Sequence, residues 1–182
     1  MENTARIQRI SGRLYTAFFV FAVLLPILTV GYWVFLNHLP ESLVTVSMKM
    51  QAGLPRPSET TLAQRMLGLA VSLVPLAIKM AAMLTLMRLL KLYRAGNVFS
   101  GAHVACFKRL GRILVYYTFA GVAESTGVVL VMTMNNPPGQ KMLSIGFSSN
   151  EITLLVVASI VLMISWIMDE GRKLAEEHSL TI

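Results

Sequence analysis

LYTAFFVFAVLLPILTVGYWVFL, Leu14–Leu36, runs 23 residues without a formal charge. A helix needs about 20 predominantly apolar residues to cross a hydrocarbon core of roughly 30 Å, so this stretch alone points to a membrane span. It follows Arg6, Arg9 and Arg13, a charged start that a secretory signal would share. The apolar run exceeds the ~7–15 residues of a signal core, and FLNHLPES (Phe35–Ser42) offers no small-x-small cleavage site, so an uncleaved anchor is expected. Pro26 should loosen the helix by removing one backbone donor. Tyr32 and Trp33 at the far end read as interfacial aromatics.

Three further blocks repeat the pattern, at about 67–90, 110–134 and 152–168. The expected architecture is an all-α membrane protein with four transmembrane helices in an antiparallel bundle, a single integral domain over residues 1–182. A soluble domain of this length would break its apolar runs with charge. Here 55% of residues are hydrophobic and the mean hydropathy is +0.64, concentrated in four blocks. The connections are then an outer loop at 37–66, a hairpin at 91–109, an outer loop at 135–151 and a tail at 169–182. Gly96 supplies a helix stop and Ser100 an N-cap for the third helix. Ser58 or Thr60 would cap the second, and Asn135-Asn136-Pro137-Pro138-Gly139 would end the third. Ser148-Ser149-Asn150-Glu151 opens the fourth with a carboxylate in its first turn.

Both outer loops carry a period of two. Val44, Val46, Met48 and Met50 alternate with polar residues in Leu43–Met50, and Leu143–Phe147 (LSIGF) alternates again. The expectation is a small two-stranded extracytoplasmic sheet, because a lone strand leaves its backbone unsatisfied.

The net charge of +7 does not imply nucleic acid, since the cations flank the apolar blocks. Eleven Lys and Arg fall on one side (Arg6, Arg9, Arg13, Arg88, Lys91, Arg94, Lys108, Arg109, Arg112, Arg172, Lys173) and four on the other (Lys49, Arg56, Arg65, Lys141). Positive-inside orientation then places both termini in the cytoplasm of a multi-pass inner-membrane protein. Cys106 is the sole cysteine, which excludes an intrachain disulfide and a CxxC metal site. His38, His103 and His178 form no H-E-x-x-H pattern, and there is no Walker loop, no GxSxG and no dinucleotide fingerprint. No enzyme activity, cofactor or metal is expected.

Lys79 and Glu124 each lie near the middle of an apolar span, at depths of roughly 16 and 21 Å from the cytoplasmic ends at 1.5 Å per residue. Each needs a partner, and each is a candidate partner for the other. They read as a structural ion pair fixing helix register, as a proton or cation site in a polar cavity, or as groups that are neutral or face a second subunit. A second constellation is electrostatic. Arg88, Lys91, Arg94, Lys108, Arg109 and Arg112 crowd the hairpin without an acidic residue, while Asp169, Glu170, Glu176 and Glu177 lie in the tail on the same side. Tail-to-hairpin ion pairs, lipid headgroup contact and docking of a cytoplasmic protein are all compatible with that arrangement. Ala123/Gly127 and Gly121/Ser125 are small pairs four apart, which allow close helix approach.

LLKLYRAGNVFSGAHVACFKRLG (Leu89–Gly111) and LSIGFSSNEITLLVVASIVLMISWIMDEGRKLAEEHSLTI (Leu143–Ile182) resemble a bacterial family of small four-helix membrane proteins, catalogued as domain of unknown function 2975. The resemblance supplies no catalytic residues. Genes of that family often neighbour one for a small helix-turn-helix DNA-binding protein, which implies a membrane partner for a transcription regulator. The expectation is therefore an inner-membrane regulatory or interaction protein, acting through its basic hairpin and acidic tail, in contact with the bilayer and not with nucleic acid directly. The alternative is a small transporter or channel-like homo-oligomer using Lys79 and Glu124.

Overall fold

The computed structural model describes residues 2–40, 60–95 and 100–179. It contains four long helices: α1 (Glu2–Val34), α2 (Leu62–Arg94), α3 (Gly101–Thr133) and α4 (Ser149–Ser179). A short 3₁₀ turn, Leu36–His38, follows α1. The first three helices have 33 residues each and α4 has 31. At 1.5 Å per residue they are roughly 45–50 Å long, well beyond the hydrocarbon core. Each holds a window apolar enough to span a membrane, yet only 11–22% of the residues in those windows are buried within the chain. Their remaining apolar surface faces outward, including Phe19, Phe21, Val74, Ile160 and Ile167. The chain is a multi-pass membrane protein, because only lipid makes such a surface stable.

Local chemistry sets the helix starts. Thr61 caps α2 in a capping box: its Oγ1 accepts from the Gln64 amide at 3.3 Å, and Gln64 Oε1 accepts from the Thr61 amide at 2.9 Å. The cap is thus one residue past Thr60, and Ser58 lies outside the described residues. Ser148 caps α4, accepting from the Asn150 amide at 3.3 Å and donating its own amide to Glu151 Oε2 at 2.7 Å. Ser100 caps α3 in an extended conformation, but its hydroxyl bonds the His103 ring instead of a backbone amide. Gly139 turns the chain after α3 with φ +91, a conformation that glycine takes without penalty.

The helices pack in series, α1 on α2, α2 on α3 and α3 on α4, without an extended α1–α4 contact. Each neighbouring pair is antiparallel. Trp33 near the end of α1 meets Gly68 and Ser72 near the start of α2. Gln64 donates to the Val131 and Met132 carbonyls at the end of α3. Gly111 early in α3 lies under Leu162 of α4, where an added Cβ would sit 2.6 Å from the leucine.

Trp33 corrects the sequence-based reading of an interfacial aromatic. It is 3% exposed and forms a core with Leu36 and Met132. Gly68 makes this possible, because a Cβ there would overlap the Trp33 ring. Gly127 approaches α2 as expected, against Val71, whereas a Cβ at Gly121 would meet nothing within 4 Å.

No strand occurs among the described residues. Leu43–Met50 lies outside them. Leu143–Phe147 forms no regular element; Leu143, Ile145 and Phe147 are exposed, and so is Gly146. Its neighbourhood, however, is tied to α3 by side chains: Thr126 Oγ1 donates to the Ser144 carbonyl at 3.1 Å, and Thr133 Oγ1 accepts from the Met142 amide at 3.2 Å. Helix threonines supply backbone partners that a second strand would otherwise provide.

Candidate functional site

A groove of about 700 Å³ opens on the face that α1 and α4 leave uncovered, near the end of the bundle where α3 joins α4. α1 contributes Tyr32, α2 contributes Ser72 and Lys79, and α3 contributes Tyr117, Gly121 and Glu124. The segment at 144–148 forms its rim, ending on Glu151 of α4. Serial packing explains the opening: a fourth contact between α1 and α4 would have filled it.

Both intramembrane charges singled out in the sequence line this one groove. They do not form a direct ion pair, since among the described residues no bridge within 4.0 Å joins Lys79 to Glu124. Lys79 Nζ lies over the Tyr117 ring instead, 5.4 Å from its centroid. That cation–π contact contributes about 0.5–2 kcal/mol, depending on hydration. Tyr117 and Glu124 are seven residues apart, so they share a face of α3 with a rise of roughly 10 Å between them. That offset holds the carboxylate about two turns away from the ammonium's resting place. A charge at bilayer centre costs ~2.5–3.5 kcal/mol on insertion scales. Opening onto a groove that admits water or a polar ligand lowers the cost for both groups.

The uncharged polar groups nearby behave differently. Trp33 Nε1 donates to Ser72 Oγ at 3.2 Å. Gln64, 2% exposed, satisfies two terminal carbonyls of α3. Arg65 donates to the Val34 carbonyl at 2.9 Å, covering the last turn of α1. Sequence reasoning missed Gln64 and Tyr117. A capping-box spacing, Thr61 to Gln64, was available for the first, whereas the place of Tyr117 depends on the crossing of α2 and α3. The hydroxyl of Tyr32, on the groove wall, is buried without a hydrogen-bond partner among the described residues.

At the opposite end, where α2 and α3 form their hairpin, one ion pair links hairpin and tail among the described residues. Lys108 Nζ meets Asp169 Oδ2 at 2.7 Å. Asp169 also meets Arg172 at 3.2 Å, Arg172 meets Glu176 at 2.6 Å, and Lys173 meets Glu170 at 3.3 Å. The tail is thus helical, and three of these four bridges lie within α4 itself. Arg88, Lys91, Arg94, Arg109 and Arg112 are exposed, and none has a carboxylate within 4.0 Å among the described residues. Lys91 lies over the Tyr15 ring at 5.4 Å, and Arg112 Nε donates to the Lys108 carbonyl. Beneath this face His103 is fully buried against Tyr93, with ring centroids 4.7 Å apart and the planes tilted by 55°, and Cys106 is buried three residues on.

A family model described as protein of unknown function (DUF2975) matches residues 50–182. The chain belongs to this family. The match contains α2, α3 and α4 whole, and with them Lys79, Tyr117, Glu124 and the hairpin cations. Tyr32 and Trp33 of α1 precede it. No curated protein and no solved structure matches the chain.

Proposed function

We propose that this DUF2975 member is a regulatory or interaction protein of the bacterial inner membrane, with both termini in the cytoplasm and its α2–α3 hairpin as the docking surface. The observation that supports it is the set of five exposed hairpin cations without carboxylate partners, beside a sixth, Lys108, that is held by α4. Unpaired cations of one sign attract an acidic partner over about a Debye length, roughly 8 Å at physiological salt. Lipid headgroups use part of that charge, and a small helix-turn-helix regulator with an acidic face is the partner favoured here. Because α4 carries both Asp169 and the acidic residues beyond it, movement of α4 against α3 would alter how many cations are available.

The test uses the full chain in nanodiscs of zwitterionic lipid and a regulator encoded beside its gene. Binding should be salt-sensitive and lost in Arg88→Gln/Arg94→Gln/Arg109→Gln, with the melting temperature unchanged. A regulator that ignores the wild-type protein, or that binds the triple variant equally well, overturns the reading. Transport by an oligomer is a second reading, supported by the groove that holds Lys79 and Glu124. Proteoliposome flux abolished by Glu124→Gln would favour it, and a monomer without flux would exclude it.

A further inference from the structure

The groove has no assigned role, and its volume of about 700 Å³ lies within the range typical of small-molecule sites. Its two ionisable groups at membrane depth have opposite signs and are not paired to each other. Lys79 sits at the level of Tyr117. Glu124 lies on the same face of α3, roughly 10 Å further along the helix axis. Gly121 lies between those two levels, and an added Cβ there would meet nothing within 4 Å, so the groove floor between the charges is open. Tyr32 lines the α1 side of the groove, with its hydroxyl buried and without a hydrogen-bond partner among the described residues.

Charge matching restricts the occupant. A simple anion at Lys79 would leave the carboxylate of Glu124 uncompensated, and a simple cation at Glu124 would leave the ammonium of Lys79 uncompensated. A molecule with both charges, separated by several bonds, satisfies the two ends at once. We propose that the groove binds a zwitterion, with its anionic end at Lys79 and Tyr117 and its ammonium at Glu124. Two sources carry this chemistry. A phosphoethanolamine headgroup could enter sideways through the gap between α1 and α4, and a free amino acid with a distal ammonium could enter past the rim at Ser144–Ser148. This inference does not depend on the hairpin's partner, because the groove and the hairpin cations are at different ends of α2 and α3.

The experiment measures melting temperature and native mass spectra of the detergent-purified full chain. The soluble probes are 6-aminohexanoate and glycerophosphoethanolamine, with hexanoate and hexylamine as single-charge controls. Phosphatidylethanolamine and phosphatidylglycerol are the lipid probes. A two-charge probe should stabilise the protein, and each single-charge control should bind at least about tenfold more weakly, as expected when one charged contact is lost. Lys79→Gln and Glu124→Gln should each weaken the two-charge probe by about tenfold or more on the same ground. Gly121→Leu, which fills the open space between the two charged groups, should abolish binding while the probe-free melting temperature holds or rises. Retention of phosphatidylethanolamine with neglect of the soluble probes assigns the site to a lipid headgroup, and the reverse assigns it to a free zwitterion. Failure of every two-charge probe, equal binding of hexanoate or hexylamine, or unchanged binding in Gly121→Leu overturns the proposal.

Discussion

Two polar clusters lie in the same half of the bundle, and they are built on opposite terms. In the cluster at Gln64, Trp33 and Ser72, polar groups are matched: the indole has its hydroxyl, and the glutamine amide has its two carbonyls. One or two turns away, in the groove that Trp33 and Ser72 also line, Lys79 and Glu124 face each other's charge without bonding. Polar groups that hold helices together within lipid need a partner from the chain, since none is available from the solvent. Those that face an open groove can have a partner brought to them. The contrast separates residues that assemble the bundle from residues available for binding.

Substitutions in the first cluster should therefore cost stability, and those in the second should not. The largest effect is expected at Gly68→Leu, where the side chain would displace the Trp33 ring. A loss of about 3 kcal/mol, at the upper end for overpacking, should appear in reversible unfolding in detergent. Trp166 is 63% exposed, so in a Trp166→Phe background the fluorescence of Trp33 alone reports the event. A blue-shifted Trp33 that survives Gly68→Leu would break the matched side of the comparison. Gln64→Ala should follow, with a loss of about 1–3 kcal/mol, because it strips partners from the Val131 and Met132 carbonyls. Ser72→Ala removes the acceptor of one hydrogen bond in the membrane and should cost about 0.6–1.7 kcal/mol. Lys108→Ala should cost about 1 kcal/mol or less, since its bridge to Asp169 is partly exposed, and added salt should shrink the difference. Lys79→Gln should have the smallest effect, because losing the contact with the Tyr117 ring is offset by removing a charge that costs ~2.5–3.5 kcal/mol at bilayer centre.

The fold was legible because lipid imposes length and apolarity on each span separately, so Leu14–Leu36 and its three counterparts could be read without tertiary information. Helix ends were legible where a cap uses local atoms, as at Ser148 and Glu151. Tertiary context decided the rest. Trp33 has the composition of an interfacial residue and is buried only because Gly68 faces it on another helix. The period of two at Leu143–Phe147 predicted a strand, whereas the segment forms no regular element, and Thr126 and Thr133 bond the backbone of Ser144 and Met142 from α3. Lys79 and Glu124 were visible because charges stand out in apolar spans. Their register was not, since residue counting gives depth along each helix and not the direction in which a side chain leaves it. One of the tail-to-hairpin links suggested by charge alone, Lys108 to Asp169, is present, and the acidic residues Glu170 and Glu176 bond instead to cations of their own helix.

The most direct test is a double-mutant cycle on Lys79→Gln and Glu124→Gln, run in delipidated detergent and again with a saturating two-charge probe. The two changes should add to within about 0.5 kcal/mol without the probe, as expected of groups that do not bond each other, and become coupled when the probe bridges them. A coupling above about 1 kcal/mol without any probe would show a direct ion pair and contradict the account.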